Sequence, residues 1–188
     1  MADSVGGRDH LRLFVGLPLP ADAVKRLVRW REAEIGAVPG VRLVPPENLH
    51  VTVAFLGGRP PGDVERVLGA VREASAAIEP PVLTPSRYRE TRSVGMLVLA
   101  DEGGRATLLA DRVGKRLERL RVYRRERRPW LPHLTVVRFR ERPRLAPSLP
   151  ELGPVSLSEV ALYDSVLRPG GSQYEVLESV ALGGPVGA

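Results

Sequence analysis

Two stretches decide the fold of this chain, HVTVAFLG at residues 50–57 and HLTVVRFR at residues 133–140. Each alternates β-branched or aromatic residues with polar ones, as a half-buried β-strand does. Each also begins with a histidine, an aliphatic residue, a threonine and a valine. Because side chains at positions i and i+2 share one face of a strand, each histidine shares a face with its threonine.

The spacing of these stretches indicates an internal repeat. An offset of 83 residues (133 − 50) aligns the two histidines and also aligns the apolar segments 13–17 and 96–100, which both read as short strands. The same offset aligns residues 20–35 with residues 103–118, and both segments carry apolar residues at helical spacing. Each half therefore predicts the order strand, helix, His-x-Thr strand.

The rest of the chain fills in around this repeat. We predict a second helix, three further strands and a proline-rich loop, at residues 61–78, 81–90, 155–167, 174–182 and 141–154 respectively. Together the elements predict an α+β fold, a duplicated two-lobe sheet-and-helix architecture with pseudo-two-fold symmetry and a central cleft. We expect residues 1–188 to form one bilobal domain.

The composition excludes several classes of protein. The chain has 188 residues, 43% of them hydrophobic, which is enough for a sizeable core, and it has no cysteine for disulfides or thiolate metal sites. It has no apolar run long enough to span a membrane. Its first ten residues, MADSVGGRDH, lack the apolar centre of a secretory signal. We therefore expect a cytoplasmic protein that does not contact a membrane.

The net charge of +6 favours anionic partners, nucleic acid above all. Of the 28 basic residues only Lys25 and Lys115 are lysines, however, and such a bias towards arginine is also typical of a GC-rich genome. The one clustered basic segment, RVYRRERR at residues 121–128, either steers RNA towards a cleft or is a solvated connection.

Symmetry predicts a shared site. If the two strands lie at equivalent places beside the two-fold axis, His50 and Thr52 face His133 and Thr135 across one cleft. One imidazole can then act as a base and the other as an acid on a phosphoester between them, because histidine titrates near neutral pH. The threonine hydroxyls can donate to the non-bridging phosphate oxygens. This chemistry needs no metal and no cofactor.

Other kinds of site are poorly supported. Zinc generally takes three or four ligands, and no cysteine exists and no carboxylate shares the strand face of either histidine. No serine stands in a Gly-x-Ser-x-Gly setting. We expect the remaining histidine, His10, to be solvated, and Phe55 to lie in the core with Val51 and Val53.

Four segments resemble one known group of proteins. These are VPPENLHVTVAFLG (44–57), RPWLPHLTVVR (128–138), RLFVGLPLP (12–20) and DSVLRPGGSQYEVL (164–177). Their motifs resemble those of the 2H phosphoesterase superfamily, and within it those of the bacterial and archaeal RNA 2′,3′-cyclic phosphodiesterases, also called 2′-5′ RNA ligases. The sequence departs from the usual pattern at Trp130, where phenylalanine is usual, and at Val137, where a small residue is common.

The resemblance implies hydrolysis of a 2′,3′-cyclic phosphate at an RNA end, which leaves a 2′-phosphate. It implies that one histidine is the acid at the 3′ oxygen and the other the base for water, with Thr52 and Thr135 binding phosphate. We assign His50 as the acid and His133 as the base, although the near-symmetry of the site leaves the reverse assignment open. Candidate substrate-binding residues are Arg138, Arg128 and Trp130. Arg138 lies three residues after Thr135, so it reaches the cleft only if a bulge or the strand end turns it there.

Three alternatives stay open on the sequence. The same histidines would serve 2′-5′ RNA ligation, with a 5′-hydroxyl in place of water. They would also serve a cyclic phosphodiesterase that acts on small nucleotides. A non-catalytic RNA-binding protein is the third, although binding alone does not need two matched titrating groups.

Overall fold

The computed structural model describes residues 9–169 and 171–183, so most of the polar N-terminal segment expected to carry no secretory signal lies outside it. The described residues form nine β-strands and three α-helices. In chain order these are β1 (Leu11–Pro18), α1 (Ala21–Glu34), β2 (Val41–Leu43), β3 (His50–Arg59), α2 (Val64–Ser75), β4 (Val82–Glu90), β5 (Val94–Glu102), α3 (Arg105–Arg119), β6 (His133–Phe139), β7 (Val155–Ser156), β8 (Glu159–Arg168) and β9 (Gly171–Ala181).

The repeat read from the sequence is present in the fold. The unit β1–α1–β3 corresponds to β5–α3–β6 at the same offset along the chain. All nine strands belong to one sheet in the order β7-β4-β5-β6-β3-β1-β8-β9, with β2 on β6. The two His-x-Thr strands are therefore neighbours at the centre, each flanked by the equivalent strand of its own half. The predicted α+β fold with two related lobes is confirmed.

The two faces of the sheet differ in character. Alternate residues of the central strands, among them Leu17, Val51 and Leu134, are fully buried in one large hydrophobic core together with the apolar side of α3. Burial of each such leucine contributes roughly 2 kcal/mol to folding. The opposite, open face carries the histidines and threonines of β3 and β6, and beside them a small cluster of Phe14, Ala161 and Tyr163.

The two central strands pair with each other over a very short length. Strands β3 and β6 are registered at a single pair, Val51 opposite Leu134. Beyond it the same edge of β6 is taken by β2, which places Leu43 opposite Val137. The lobes therefore separate immediately past the two histidines, which opens a cleft at the seam.

One predicted element is divided in the structure. The segment 155–167 was expected to be a single late strand, but β7 and β8 are separate, because β7 pairs with β4 at the outer edge of one lobe and β8 pairs with β1 in the other. Only Leu157 and Ser158 link them. The sheet must therefore curl until these two parts approach each other.

The predicted second helix and the proline-rich loop agree closely with the structure. The predicted second helix begins with a short 3-10 turn, Pro61–Asp63, before α2 starts at Val64. The proline-rich loop of residues 141–154 has no helix or strand, and β2 was not anticipated. No helix among the described residues is long and apolar enough to cross a membrane.

We predict that Gly95→Ala destabilises the fold by about 1–3 kcal/mol. A Cβ at Gly95 would overlap the Tyr88 hydroxyl and stand 2.6 Å from Cγ1 of the buried Val137, so the sheet beside β6 would have to shift. The matched control is Gly69→Ala in the middle of α2, where a Cβ meets no atom within 4 Å. That change should stabilise by up to about 1 kcal/mol through helix propensity. Urea unfolding of both variants checks this, and equal effects would contradict the packing argument.

Candidate active site

A cleft of about 770 Å³ lies on the open face of the sheet at the seam between the lobes. His50, Thr52, His133 and Thr135 all line it, so the structure brings together the four residues that the repeat singled out. Each of the four is half-buried. Their side chains are therefore held by the fold yet accessible to a ligand in the cleft.

Both imidazoles are fixed in the same way. Nδ1 of His50 lies 2.8 Å from the carbonyl oxygen of Asn48, and Nδ1 of His133 lies 2.9 Å from that of Leu131. Because a carbonyl only accepts, each Nδ1 carries a hydrogen and donates it. The neutral form of each ring is thus the tautomer with a bare Nε2. The two acceptors are equivalent positions of the repeat, so the orientation itself is duplicated.

His50 is seated more deeply than its position at a strand end suggests. Its ring packs 4.8 Å from the ring of Phe14 and edge-on, at 5.3 Å, to Tyr174. Gly16 leaves room for it, since a Cβ there would stand 3.1 Å from His50 Cδ2. Nε2 of His50 lies 2.9 Å from Oγ1 of Thr52. The ring, its threonine and the aromatic wall form one packed unit.

This burial lowers the pKa of His50 from 6.5 to about 4. Desolvation of the imidazolium is the largest cause, and the hydrogen bond to the Asn48 carbonyl opposes it. The nearby positive charges of His133 and Arg138 lower the pKa further. In the free protein at neutral pH, His50 is therefore the uncharged base form.

Two β-bulges reshape the cleft. Strand β6 carries an extra residue between Thr135 and Val137 relative to β5, so Val136 and Val137 are both buried and Arg138 returns to the cleft side. Strand β3 carries the equivalent extra residue, Val53, relative to β1. The bulge predicted as one way for Arg138 to reach the cleft is present.

The bulge in β3 corrects the expectation for Phe55. Strict alternation placed Phe55 in the core, but Val53 and Ala54 are both buried and the face then changes, so Phe55 is 48% exposed and lines the cleft. Phe55 and Arg138 occupy equivalent positions of the repeat, five residues after each histidine. The offset between the halves was the signal that would have found Phe55.

Positive charge surrounds the site. Besides Arg138, three arginines that the sequence did not single out line the cleft, Arg12, Arg42 and Arg168. The guanidinium of Arg12 lies 5.2 Å above the ring of Phe55. Among the described residues that line the cleft there is no aspartate or glutamate. Such a cleft favours an anionic ligand.

Comparison with known proteins agrees with this arrangement. Residues 17–88 match the family described as LigT like Phosphoesterase. An RNA 2′,3′-cyclic phosphodiesterase of Thermus thermophilus is 31% identical over 94% of this chain and 93% of its own length. The chain belongs to the LigT-like phosphoesterase family. It is therefore an enzyme, as predicted, and the resemblance to 2H phosphoesterases is confirmed.

Two further relatives of this LigT-like phosphoesterase support the same assignment. An RNA 2′,3′-cyclic phosphodiesterase of Methanothermobacter thermautotrophicus is 28% identical over 89% of this chain and 97% of its own length. The crystal structure of TT0787 from Thermus thermophilus superposes with a TM-score of 0.79 at 28% identity, covering 92% of this chain and 98% of that one.

Trp130 and Arg128 lie outside the lining of the cleft in this LigT-like phosphoesterase. Trp130 packs against the main core, and its Nε1 donates to the carbonyl of Thr52 at 3.1 Å. It thus supports the backbone of β3 where pairing to β6 has ended. Arg128 is 80% exposed and is paired with Glu126.

Asn48 supports the site in a way that the sequence did not predict. Its carbonyl orients His50, and its Nδ2 donates to the carbonyl of Ser172 at 2.7 Å, which ties the start of β9 to the cleft. Its Oδ1 is buried without a hydrogen-bond partner among the described residues.

The described residues contain no group of three or more His, Cys, Asp or Glu side chains placed to hold a metal ion. The prediction that no metal takes part is therefore left to the chelation assay described below.

We predict that the stability of the fold decreases as pH falls from about 6.5 towards 4. Because the folded pKa of His50 is lowered, the unfolded chain binds the proton first, and this site contributes a slope of up to about 1.4 kcal/mol per pH unit in that window. Urea unfolding across the window should show a shallower slope for His50→Gln. Thr52→Val, which keeps the buried imidazole, is the control. Identical slopes for wild type and His50→Gln would contradict the burial argument.

Proposed function

We propose that this LigT-like phosphoesterase hydrolyses the 2′,3′-cyclic phosphate at an RNA end and leaves a 2′-phosphate. The observation that carries the proposal is the duplicated His-x-Thr pair, with each imidazole oriented through Nδ1 and both in one arginine-lined cleft. Relatives that share nearly the whole chain are named RNA 2′,3′-cyclic phosphodiesterases. The cytoplasmic location expected from the sequence stays a prediction.

In the proposed reaction, water attacks phosphorus as the bond to the 3′ oxygen breaks. His133 takes the proton from water through its bare Nε2, and His50 gives a proton to the departing 3′ oxygen. Thr52 and Thr135 donate hydrogen bonds to the non-bridging oxygens, and Arg138 offsets their charge. The ribose keeps the phosphate on its 2′ oxygen, and each histidine exchanges its protonation state.

The lowered pKa of His50 bears on its role as the acid. A group with a pKa of about 4 is uncharged at neutral pH in the free enzyme. A bound cyclic phosphate is an anion, and an opposite charge within hydrogen-bonding distance favours the imidazolium, typically by about 1–3 pKa units. We therefore propose that the acid form of His50 becomes populated mainly in the substrate complex. The negative charge of the substrate thus favours the protonation of His50 that the reaction requires.

The central test is alanine substitution. His50→Ala and His133→Ala should each lower turnover of an RNA bearing a cyclic phosphate end by about 10²–10⁴-fold, because each removes a positioned proton transfer. His10→Ala, an exposed histidine outside the cleft, is the matched control and should retain full activity. Thermal melts confirm folding. Near-wild-type activity in either cleft variant would rule out the two-histidine mechanism.

Two additions to this assay separate the remaining possibilities. All reactions are run with and without EDTA, and loss of activity that zinc or manganese restores would identify the histidines as metal ligands. A substrate with sulfur in place of the 3′ oxygen needs no acid, because a thiolate leaves unprotonated. His50→Ala should recover rate on that substrate, whereas recovery by His133→Ala would reverse the two roles.

The threonines are tested by Thr52→Val and Thr135→Val. Each should lower kcat/KM by roughly tenfold to a hundredfold, since each removes one donor to phosphate oxygens and no titrating group. The bell-shaped pH profile should fall as a whole with its limbs nearly in place. Thr84→Val on β4, outside the cleft, is the control. If the pH profiles of both variants overlay that of the wild type, the threonines have only a structural role in their strands.

A further inference from the structure

A second cavity, of about 590 Å³, lies outside the cleft at the outer edge of β4. Strand β7 pairs with β4 only at Val82 and Leu83, so within the described residues the later part of β4 has no paired strand on that side. The cavity is formed by this edge and the proline-rich loop, and its lining residues are Tyr88, Arg89, Glu90, Arg142, Arg144 and Leu145.

The cavity has an excess of positive charge. Its one carboxylate, Glu90, is buried and fully engaged, accepting hydrogen bonds from Arg142 Nε at 3.0 Å and from the backbone nitrogens of Arg144 and Leu145 at 3.1 and 2.7 Å. Arg142 offsets that charge. The exposed side chains of Arg89 and Arg144 have no ionic partner among the described residues. Two uncompensated guanidinium groups therefore face the cavity.

Strand register places Arg89 on the same face of the sheet as the catalytic residues, whereas its neighbours Tyr88 and Glu90 project from the opposite, core face. Arg89 is opposite Met96 on β5, and Met96 is opposite Thr135 on β6. Directly opposed residues of an antiparallel pair project from the same face. Two strand spacings separate Arg89 from Thr135, which is about 10 Å. A ligand that extends from the cleft to Arg89 must therefore pass over the position of Met96, which is only 8% exposed.

We propose that Arg89 and Arg144 bind a backbone phosphate of the RNA chain that precedes the cyclic end. The inference rests on the proposed function. It specifies that the enzyme prefers an RNA strand with a cyclic end over small cyclic nucleotides. A guanidinium binds a phosphate through two parallel hydrogen bonds, and phosphate contacts supply much of the affinity for nucleic acid. The terminal cyclic phosphate occupies the histidine cleft in this arrangement.

The clustered arginines of residues 121–128 are a weaker candidate for the same role. Arg125 is paired with Asp111 and Glu118, and Arg128 is paired with Glu126, so two of the five arginines in this segment are already compensated. Arg124 and Arg127 are exposed and show no ion pair among the described residues. Replacing these two removes the same net charge as replacing Arg89 and Arg144, which makes them a matched control.

The test compares two substrates, a nucleoside 2′,3′-cyclic phosphate and a hexanucleotide RNA with a 2′,3′-cyclic end. R89Q/R144Q should lower kcat/KM on the hexanucleotide by about tenfold and leave the mononucleotide within about twofold. The slope of log kcat/KM against log salt should become shallower by roughly 0.7 for each phosphate that the variant no longer binds. R124Q/R127Q should match the wild type on both substrates, and R89K/R144K should recover part of the activity.

Each alternative result has a distinct meaning. Wild-type kcat/KM of R89Q/R144Q on the hexanucleotide would overturn the proposal, and so would an equal decrease in R124Q/R127Q, which would reflect net charge alone. An equal decrease on both substrates would also overturn it, because the change would then act on the cleft. If the wild-type enzyme turned over neither substrate, the proposed function itself would fail, and this inference with it.

Discussion

The backbone pairing of Val51 with Leu134 is the constraint on which the rest of the molecule depends. It is the one registered pair between β3 and β6 in the described part of the chain, and it joins two lobes that each have their own flanking strands. Both residues point into the core, so their neighbours in sequence, the two histidines, are held on the open face. Since the pairing ends there, the same contact that joins the lobes also sets where the cleft begins.

The two β-bulges in β3 and β6 determine which further side chains line the cleft. Each lies directly after a His-x-Thr figure and changes the face of the strand, so that a residue five positions past each histidine returns to the cleft. In one lobe that residue is aromatic, Phe55, and in the other it is cationic, Arg138. The backbone of the site is thus nearly symmetric, whereas the side chains at these two equivalent positions differ. Because of this difference, a substrate can bind in one defined direction between the two histidines.

The sequence was sufficient for the fold and for the four central residues because both depend on periodic signals. The offset between the halves located the repeat, and the alternation within each strand placed each threonine beside its histidine. Alternation failed at Phe55, because a bulge is a single-residue change of register that periodicity averages away. It could not locate Arg12, Arg42 and Arg168 among so many arginines, since their role depends on where the sheet curls. The division of β7 from β8 was missed for the same reason, because it reflects closure of the sheet over long range.

Among the described residues that line the cleft, every basic side chain other than histidine is an arginine, and this affects how the site can be titrated. Guanidinium groups stay protonated at every pH at which a protein remains folded, unlike lysine amines, which titrate at high pH. The electrostatic background at the two imidazoles therefore stays constant across a pH titration. With no carboxylate among the described lining residues, little else in the cleft ionises under acid conditions. Proton uptake measured there by NMR consequently reports on the histidine pair with little interference from neighbouring groups.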